Sequence, residues 1–417
     1  MNKSRKQKYP QKHPASGASA CAVSARCGAC TMIDIPYDEQ LAKKQAYIEE
    51  LFAGLASPKR VRPIIGMQTP YHYRNKVVSP FAPARGARPG AFAVATGMYA
   101  QGTHKLVPTD GCLIENETGK RVVQAVRSLM LKWKIAPYNE DTGEGFLRHA
   151  VVRVGQFSGE VLVTLVTNSD QFPFSKSFCR ELVRRVPEIT TVVQNVNMRQ
   201  TNVILGETER VLYGPGFILD GLCGLTFRIS SQSFYQVNVC QTEALYTAAI
   251  DAAKLNGTQT VIDAYCGTGT IGLVAASRGA ARVLGLDCVE PAIRDARQNA
   301  KHNGITNAEF FVEDATDFLV RAAQCGIDGA KSENTVLMMD PPRSGSTPQF
   351  LNAACALAPS RIVYISCNPK TQVRDAENLL QGGYAIESIQ PVDMFPHTDH
   401  VECVVLMSRE KLDFIMY

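Results

Sequence analysis

A short apolar run that passes straight into a glycine-rich turn restricts this chain more than any other feature. Thr260-Val261-Ile262-Asp263-Ala264-Tyr265 reads as a buried strand, and Cys266-Gly267-Thr268-Gly269-Thr270-Ile271-Gly272 follows without a spacer. Gly267, Gly269 and Gly272 fit G-x-G-x-x-G between a strand and a helix, where missing side chains let backbone approach a ligand closely. Further strands are predicted at 282–286, 308–312, 335–339 and 361–366, with helices at 270–278, 291–302 and 369–380. Such alternation specifies an α/β fold, a doubly wound, Rossmann-like parallel sheet, over residues 230–417. Asp287 ends the second strand, twenty residues beyond Gly267, and is placed to hydrogen-bond ribose hydroxyls.

Those features alone suit a nicotinamide or any adenosyl ligand, and two later ones separate them. Asp314 follows the third strand, where a carboxylate can accept from an adenine amino group. Asp340-Pro341-Pro342-Arg343 ends the fourth, and its prolines hold the chain extended at the carboxyl edge of the sheet, where such folds place substrates. A dehydrogenase has no evident use for that loop, whereas methyltransferases acting on planar bases do. S-adenosylmethionine is therefore the expected cofactor.

Arg361 to Ser366 is another buried strand, and Cys367-Asn368-Pro369-Lys370 opens a helix directly behind it. Asn368 suits the N-cap and Pro369 the first helical position. Cys367 then stands at a helix N-terminus, where the macrodipole favours thiolate over thiol. A thiolate added to carbon 6 of uracil makes carbon 5 electron-rich enough to accept a methyl group from a sulfonium, and a base must afterwards remove the carbon 5 proton. Asp393 to Glu402 supplies candidates: Glu402 is the expected base, with His397 and His400 as positioning or relay groups. Cys223, Cys240, Cys288, Cys325, Cys355 and Cys403 read as inert core residues.

Upstream of 230 the order of strands and helices loses its alternation, which predicts an α+β unit over 21–229. Helices are expected at 34–55, 119–134 and 176–186, and strands at 149–155, 160–167, 191–198 and 201–205. The net charge of +5 equals the five basic residues of the 1–20 tail, read as disordered, so the rest of the chain is neutral. Within it, 51–109 holds no acid, and its Lys and Arg alternate with Tyr71, Tyr73, Phe81, Phe92 and Tyr99, the mixture that neutralises phosphates and stacks on bases. Nucleic acid is the expected partner. No apolar stretch is long enough to span a bilayer and no signal-like apolar region follows the tail, so a cytoplasmic monomer is expected, without membrane contact.

Thirteen cysteines in a cytoplasmic chain point to metal or catalytic thiols rather than disulfides. Cys21, Cys27 and Cys30 fall within ten residues around Gly28, and Cys112 is the natural fourth ligand. Zinc and a [4Fe–4S] cluster both accept four thiolates, and spacing does not separate them.

Together, the cysteine trio, Ser233-Phe234-Tyr235-Gln236-Val237-Asn238, Asp340 to Arg343, Ser366 to Pro369 and Asp393 to Glu402 resemble the S-adenosylmethionine-dependent RNA uracil-C5 methyltransferases. The likeness is greatest to the iron–sulfur bacterial 23S ribosomal RNA enzymes lacking a TRAM domain. The resemblance implies Cys367 as nucleophile and Glu402 as base. It implies S-adenosylmethionine contacts from Gln236, Tyr265, Asp287 and Asp340, with weaker matches at Thr270 and Asp314, beside the cofactor-binding Gly267 expected from the glycine turn. It also implies [4Fe–4S] ligation by Cys21, Cys27, Cys30 and Cys112, a strand of the central RNA-facing domain at Tyr73 to Lys76, and 23S ribosomal RNA as substrate. Asp287 stands where that family usually has Glu. Transfer RNA enzymes of the family generally lack the four cysteines.

Overall fold

A computed structural model of the chain describes residues 20–84 and 92–409. The basic tail, save Ala20, and part of the acid-free segment therefore lie outside the described residues. Two large sheets organise the rest. The C-terminal one has seven strands in the order Ala308–Val312, Arg282–Asp287, Thr260–Ala264, Thr335–Met339, Arg361–Ser366, Glu402–Arg409 and Tyr384–Val392. The first five are parallel, Glu402–Arg409 runs antiparallel to them, and Tyr384–Val392, antiparallel to that strand, restores their direction. Strand order reverses beside Thr260–Ala264, so the carboxyl ends of that strand and Thr335–Met339 flank the crevice where doubly wound sheets bind ligands.

Helices Val239–Ala253, Thr270–Ser277 and Glu290–His302 cover one face of this sheet, burying Leu245, Val274 and Ile293. On the other lie Ala315–Cys325, Pro348–Leu357, Pro369–Gln381 and, from far upstream, Tyr37–Phe52. Ile48 and Phe52 of this last helix are sealed in the same core as Tyr364 and Met407. Val61 and Ile65 then bridge to Ile389 and Val392. The 21–229 region is thus divided in space: its Tyr37–Phe52 helix belongs to the methyltransferase-type layer, a placement that only tertiary contacts specify.

The central sheet has six strands: Val94–Thr96, Lys76–Pro83, Leu147–Val154, Val161–Thr167, Ile189–Val196 and Thr208–Tyr213. One parallel pair, joined by the Ser175–Arg185 helix, interrupts an otherwise antiparallel arrangement, which bears out the α+β expectation for this part. Helix Glu117–Trp133 packs beside it, its start capped by Asn116, whose side chain accepts from the Thr118 and Gly119 amides. The 201–205 run forms no strand. Asn197 instead donates its amide to the Val203 and Ile204 carbonyls, satisfying backbone that a sheet partner would otherwise take. Strands Phe217–Leu222 and Leu225–Ser230 make a hairpin that joins the methyltransferase-side core. Among the described residues, no helix is long and apolar enough to cross a membrane.

Candidate active site

The glycine turn forms as its sequence dictates, each glycine for a separate reason. Gly267 has φ +54° and a Cβ there would meet no protein atom within 4 Å, so its backbone faces the cleft. A Cβ at Gly269 would strike Phe310, and one at Gly272 would lie 2.8 Å from Asp263 Oδ2, so these two seat the helix against the sheet. Asp263 accepts from the Gly272 amide, and burial pushes its carboxyl up to about 7. Asp287 locks the turn from the next strand, accepting from the Gly267 and Val289 amides at 2.9 and 2.8 Å.

Beyond the turn opens a cleft of about 1080 Å³. Gln236, Tyr265, Gly267, Thr270, Asp287 and Asp340 line it, and so do Cys367 and Glu402. Arg74 and Lys76 of the central unit, with the 70% exposed Phe234, form part of its wall. The volume and this lining suit an adenosyl ligand with room for a base beside it. Asp314 is not among the lining residues: its Oδ1 caps the Ala315–Cys325 helix through the Thr316 and Asp317 amides.

Two loops bring the reactive groups together. Asn368 follows Cys367 at the N-cap position, but its side chain does not cap the helix. Its amide donates instead to the Arg343 carbonyl at 2.9 Å, and the Thr371 hydroxyl donates to the same oxygen, tying the Asp340–Arg343 loop to the cysteine. Arg343 itself, to which the sequence reading gave no role, lies close enough to the Cys367 thiol to favour its ionisation.

The expectation of a thiol poised low is corrected. Burial is the largest influence on Cys367 and pushes it above its ordinary value, and the Glu402 and Asp340 carboxyls add to this. Glu402 is only 4% exposed, and burial, then Asp340, pushes it up to about 8, with Arg343 opposing. Asp340 keeps part of its surface open to the cleft, yet desolvation raises it to about 7. Two carboxyls that hold protons near neutrality therefore sit beside one thiol.

Other expectations need revision. His397 is buried with φ +68°; its Nδ1 meets the Gln40 amide at 3.1 Å and its Nε2 the Pro70 carbonyl at 2.9 Å. Both ring nitrogens are engaged, and neither His397 nor His400 lines the cleft, so neither is a proton relay there. Tyr73 and Phe81 are core residues rather than base-stacking platforms. Cys240, Cys288 and Cys325 are exposed, not core.

Cys21, Cys27, Cys30 and Cys112 do converge. They line a second cavity of about 100 Å³ with Ile33, Val78, Met98 and Ile114. A single helical turn, Ser24–Cys27, ends at Gly28 with φ +69° and folds the trio onto itself. Burial raises Cys30 to about 12, helped by Cys112, Cys27 and Cys21, and Cys112 to about 11. As arranged, the sulfurs are not drawn into a coordination sphere: among the described residues, no group of three or more His, Cys, Asp and Glu is placed to hold a metal ion. The donor set itself, four thiols facing one small, largely apolar cavity, suits a thiolate-bound metal group.

Residues 221–410 match the family of tRNA (Uracil-5-)-methyltransferases. An uncharacterized RNA methyltransferase of Bacillus cereus (strain ATCC 10987) is 40% identical over 407 residues, spanning 97% of this chain and 86% of the relative. Another, from Lactiplantibacillus plantarum, is 42% identical over 93% of this chain and 83% of its own length. The crystal structure of Pyrococcus abyssi tRNA (uracil-54, C5)-methyltransferase in complex with S-adenosyl-L-homocysteine is 27% identical. It covers 91% of this chain and 85% of that one, with a TM-score of 0.73.

Proposed function

Because the chain belongs to the S-adenosylmethionine-dependent RNA uracil-5-methyltransferase family, we propose that it methylates carbon 5 of a uridine in 23S ribosomal RNA. The observation that carries the chemistry is the meeting of Cys367, Glu402, Asp340 and Arg343 in the cleft that the glycine turn also lines. S-adenosylmethionine, when bound, supplies an electrophilic methyl group. Gln236, Tyr265, Gly267, Thr270, Asp287 and Asp340 hold it, and Asp314 supports the helix next to it.

Cys367 forms the bond from sulfur to carbon 6 of a uracil flipped out of its stack, which moves electron density onto carbon 5. Arg343 favours the ionised sulfur, and the thiol proton passes to the Asp340 carboxylate beside it, which leaves Glu402 free for the later step. After methylation the Glu402 carboxylate takes the carbon 5 proton. The electron pair restores the double bond between carbons 5 and 6, the carbon–sulfur bond breaks, and Cys367 is released. Arg74 and Lys76 meet phosphates at the cleft mouth.

Cys21, Cys27, Cys30 and Cys112 would hold a [4Fe–4S] cluster as a structural brace. These cysteines support the ribosomal substrate through the resemblance described above. A transfer RNA substrate is the second reading, favoured by the likeness to the Pyrococcus abyssi transfer RNA enzyme.

The test is covalent trapping. With the methyl donor and 5-fluorouridine-substituted 23S ribosomal RNA, fluorine cannot leave carbon 5 as a proton does, so an adduct should accumulate at Cys367 and vanish in Cys367→Ala. Trapping of substituted transfer RNA alone would move the substrate to the second reading. Trapping of neither would remove the mechanism.

A further inference from the structure

The loop that leads to Glu402 is gripped by a helix from the opposite end of the chain. Residues 393–401 connect the Tyr384–Val392 and Glu402–Arg409 strands, and Val392 pairs directly with Glu402. A nine-residue excursion between paired strands carries no intrinsic rigidity. Here it is fastened at alternate residues. Asp393 accepts from Lys44 Nζ at 2.5 Å and from the Tyr37 hydroxyl at 2.6 Å. Lys44 also donates to the Phe395 carbonyl. Gln40 accepts from the His397 amide at 2.9 Å while its own amide meets His397 Nδ1. Further upstream, the Met32 amide donates to the His397 carbonyl, and Thr31 Oγ1 accepts from the Asp399 amide.

Lys44 and Asp393 are sealed, with side chains 1% and 0% exposed. An ion pair so deep is a poor source of stability compared with apolar residues of the same size, so its presence calls for a geometric reason. We propose that Tyr37, Gln40 and Lys44 form a splint that fixes the Asp393–Val401 loop and with it the position of the general base. They are positioning residues, acting on Glu402 through the loop and touching no substrate. This inference rests on the proposed role of Glu402.

The splint makes a distinctive kinetic demand. Addition of Cys367 and methylation use groups held by other loops, so a slack loop should spare both. It should slow only proton removal and the breaking of the carbon–sulfur bond. Loss of the splint therefore traps enzyme on RNA, an outcome that general destabilisation does not produce.

The experiment uses the full chain, ordinary 23S ribosomal and transfer RNA transcripts and the methyl donor, with the covalent adduct read on denaturing gels. Glu402→Gln is the control and should accumulate adduct. Lys44→Met and Gln40→Leu should show adduct persisting at least tenfold longer than wild type, with donor affinity unchanged. Lys44→Arg, which keeps the cation, should restore most resolution. Should Lys44→Met fail to fold, Tyr37→Phe removes one bond to Asp393 and should prolong the adduct several-fold. If Glu402→Gln traps adduct but folded splint variants either turn over normally or lose turnover with none, the splint is refuted. If Glu402→Gln itself traps nothing, the assignment of the base fails and takes the splint with it.

Discussion

Burying a base that must ionise has a thermodynamic signature that Glu402→Gln should expose. Folding raises the Glu402 carboxyl from its ordinary 4.5 to about 8. The folded state therefore holds this proton more tightly than the unfolded chain does. Stability from that preference is fully present below the unfolded value and is lost as pH rises through the folded one. Between about pH 6 and about pH 9 the linkage relation puts the loss at roughly 2 to 3 kcal/mol. Glutamine does not titrate, so the variant lacks this contribution and its stability should fall less steeply over the same interval. Urea unfolding at several pH values measures both proteins. The stability of wild type minus that of the variant should decline by about that amount as pH rises. Any offset from burying an amide shifts the whole curve and leaves the slope intact. A difference that stays flat from pH 6 to pH 9 would mean that the carboxyl is hydrated, and the account of its burial would be wrong.

Three further outcomes follow from the geometry. Arg343→Gln removes the cation that favours Cys367 ionisation, so alkylation by iodoacetamide should need higher pH than in wild type; an unchanged profile would separate the two residues. Gly267→Ala should weaken methyl-donor binding with about 1 kcal/mol of destabilisation from its left-handed backbone. Gly272→Ala should instead cost about 1–3 kcal/mol through collision with Asp263 and Val283, outweighing alanine's better helix propensity; calorimetry and equilibrium dialysis distinguish the pair, and a reversal would overturn the separate roles of the two glycines. Cys112→Ser should lower bound iron and sulfide, or zinc, measured by elemental analysis, while donor binding in the large cleft persists. Equal metal content in variant and wild type would remove Cys112 from the ligand set.

What the sequence discloses here is mostly local. The Thr260–Gly272 unit was legible because strand period, turn chemistry and helix start are all written within thirteen residues. Cys367 was legible for the same reason, lying between a buried strand and Pro369. Its ionisation was misjudged because Asp340, Glu402 and Arg343 reach it only through the fold. The destination of Tyr37–Phe52 was likewise invisible: Lys44 meets Asp393 across 349 positions. Strand Leu225–Ser230 is legible in the alternation of Leu225, Phe227 and Ile229 with Thr226, Arg228 and Ser230, whereas Phe217–Leu222 opens on three consecutive apolar residues and carries Gly221, and 201–205 forms no strand because side-chain hydrogen bonds compete with pairing. Tyr73 and Phe81 show that aromatic residues among basic ones are not thereby surface groups.

The resting site is more nearly neutral than a set of named acids and a nucleophile would suggest. At pH 7 a carboxyl near 8 is mostly protonated, one near 7 is half so, and a thiol above its ordinary value is a thiol. In that state the sulfur is not yet a nucleophile and the base already carries its proton. Each raised value comes first from desolvation, and a positive charge in the cleft would oppose it by favouring the ionised forms. A cationic methyl donor in the cleft would favour ionisation of all three groups at once. Arg343 sets the balance from the protein's side: it favours the ionised forms of Cys367 and Glu402 together, without cancelling the burial that keeps both quiet.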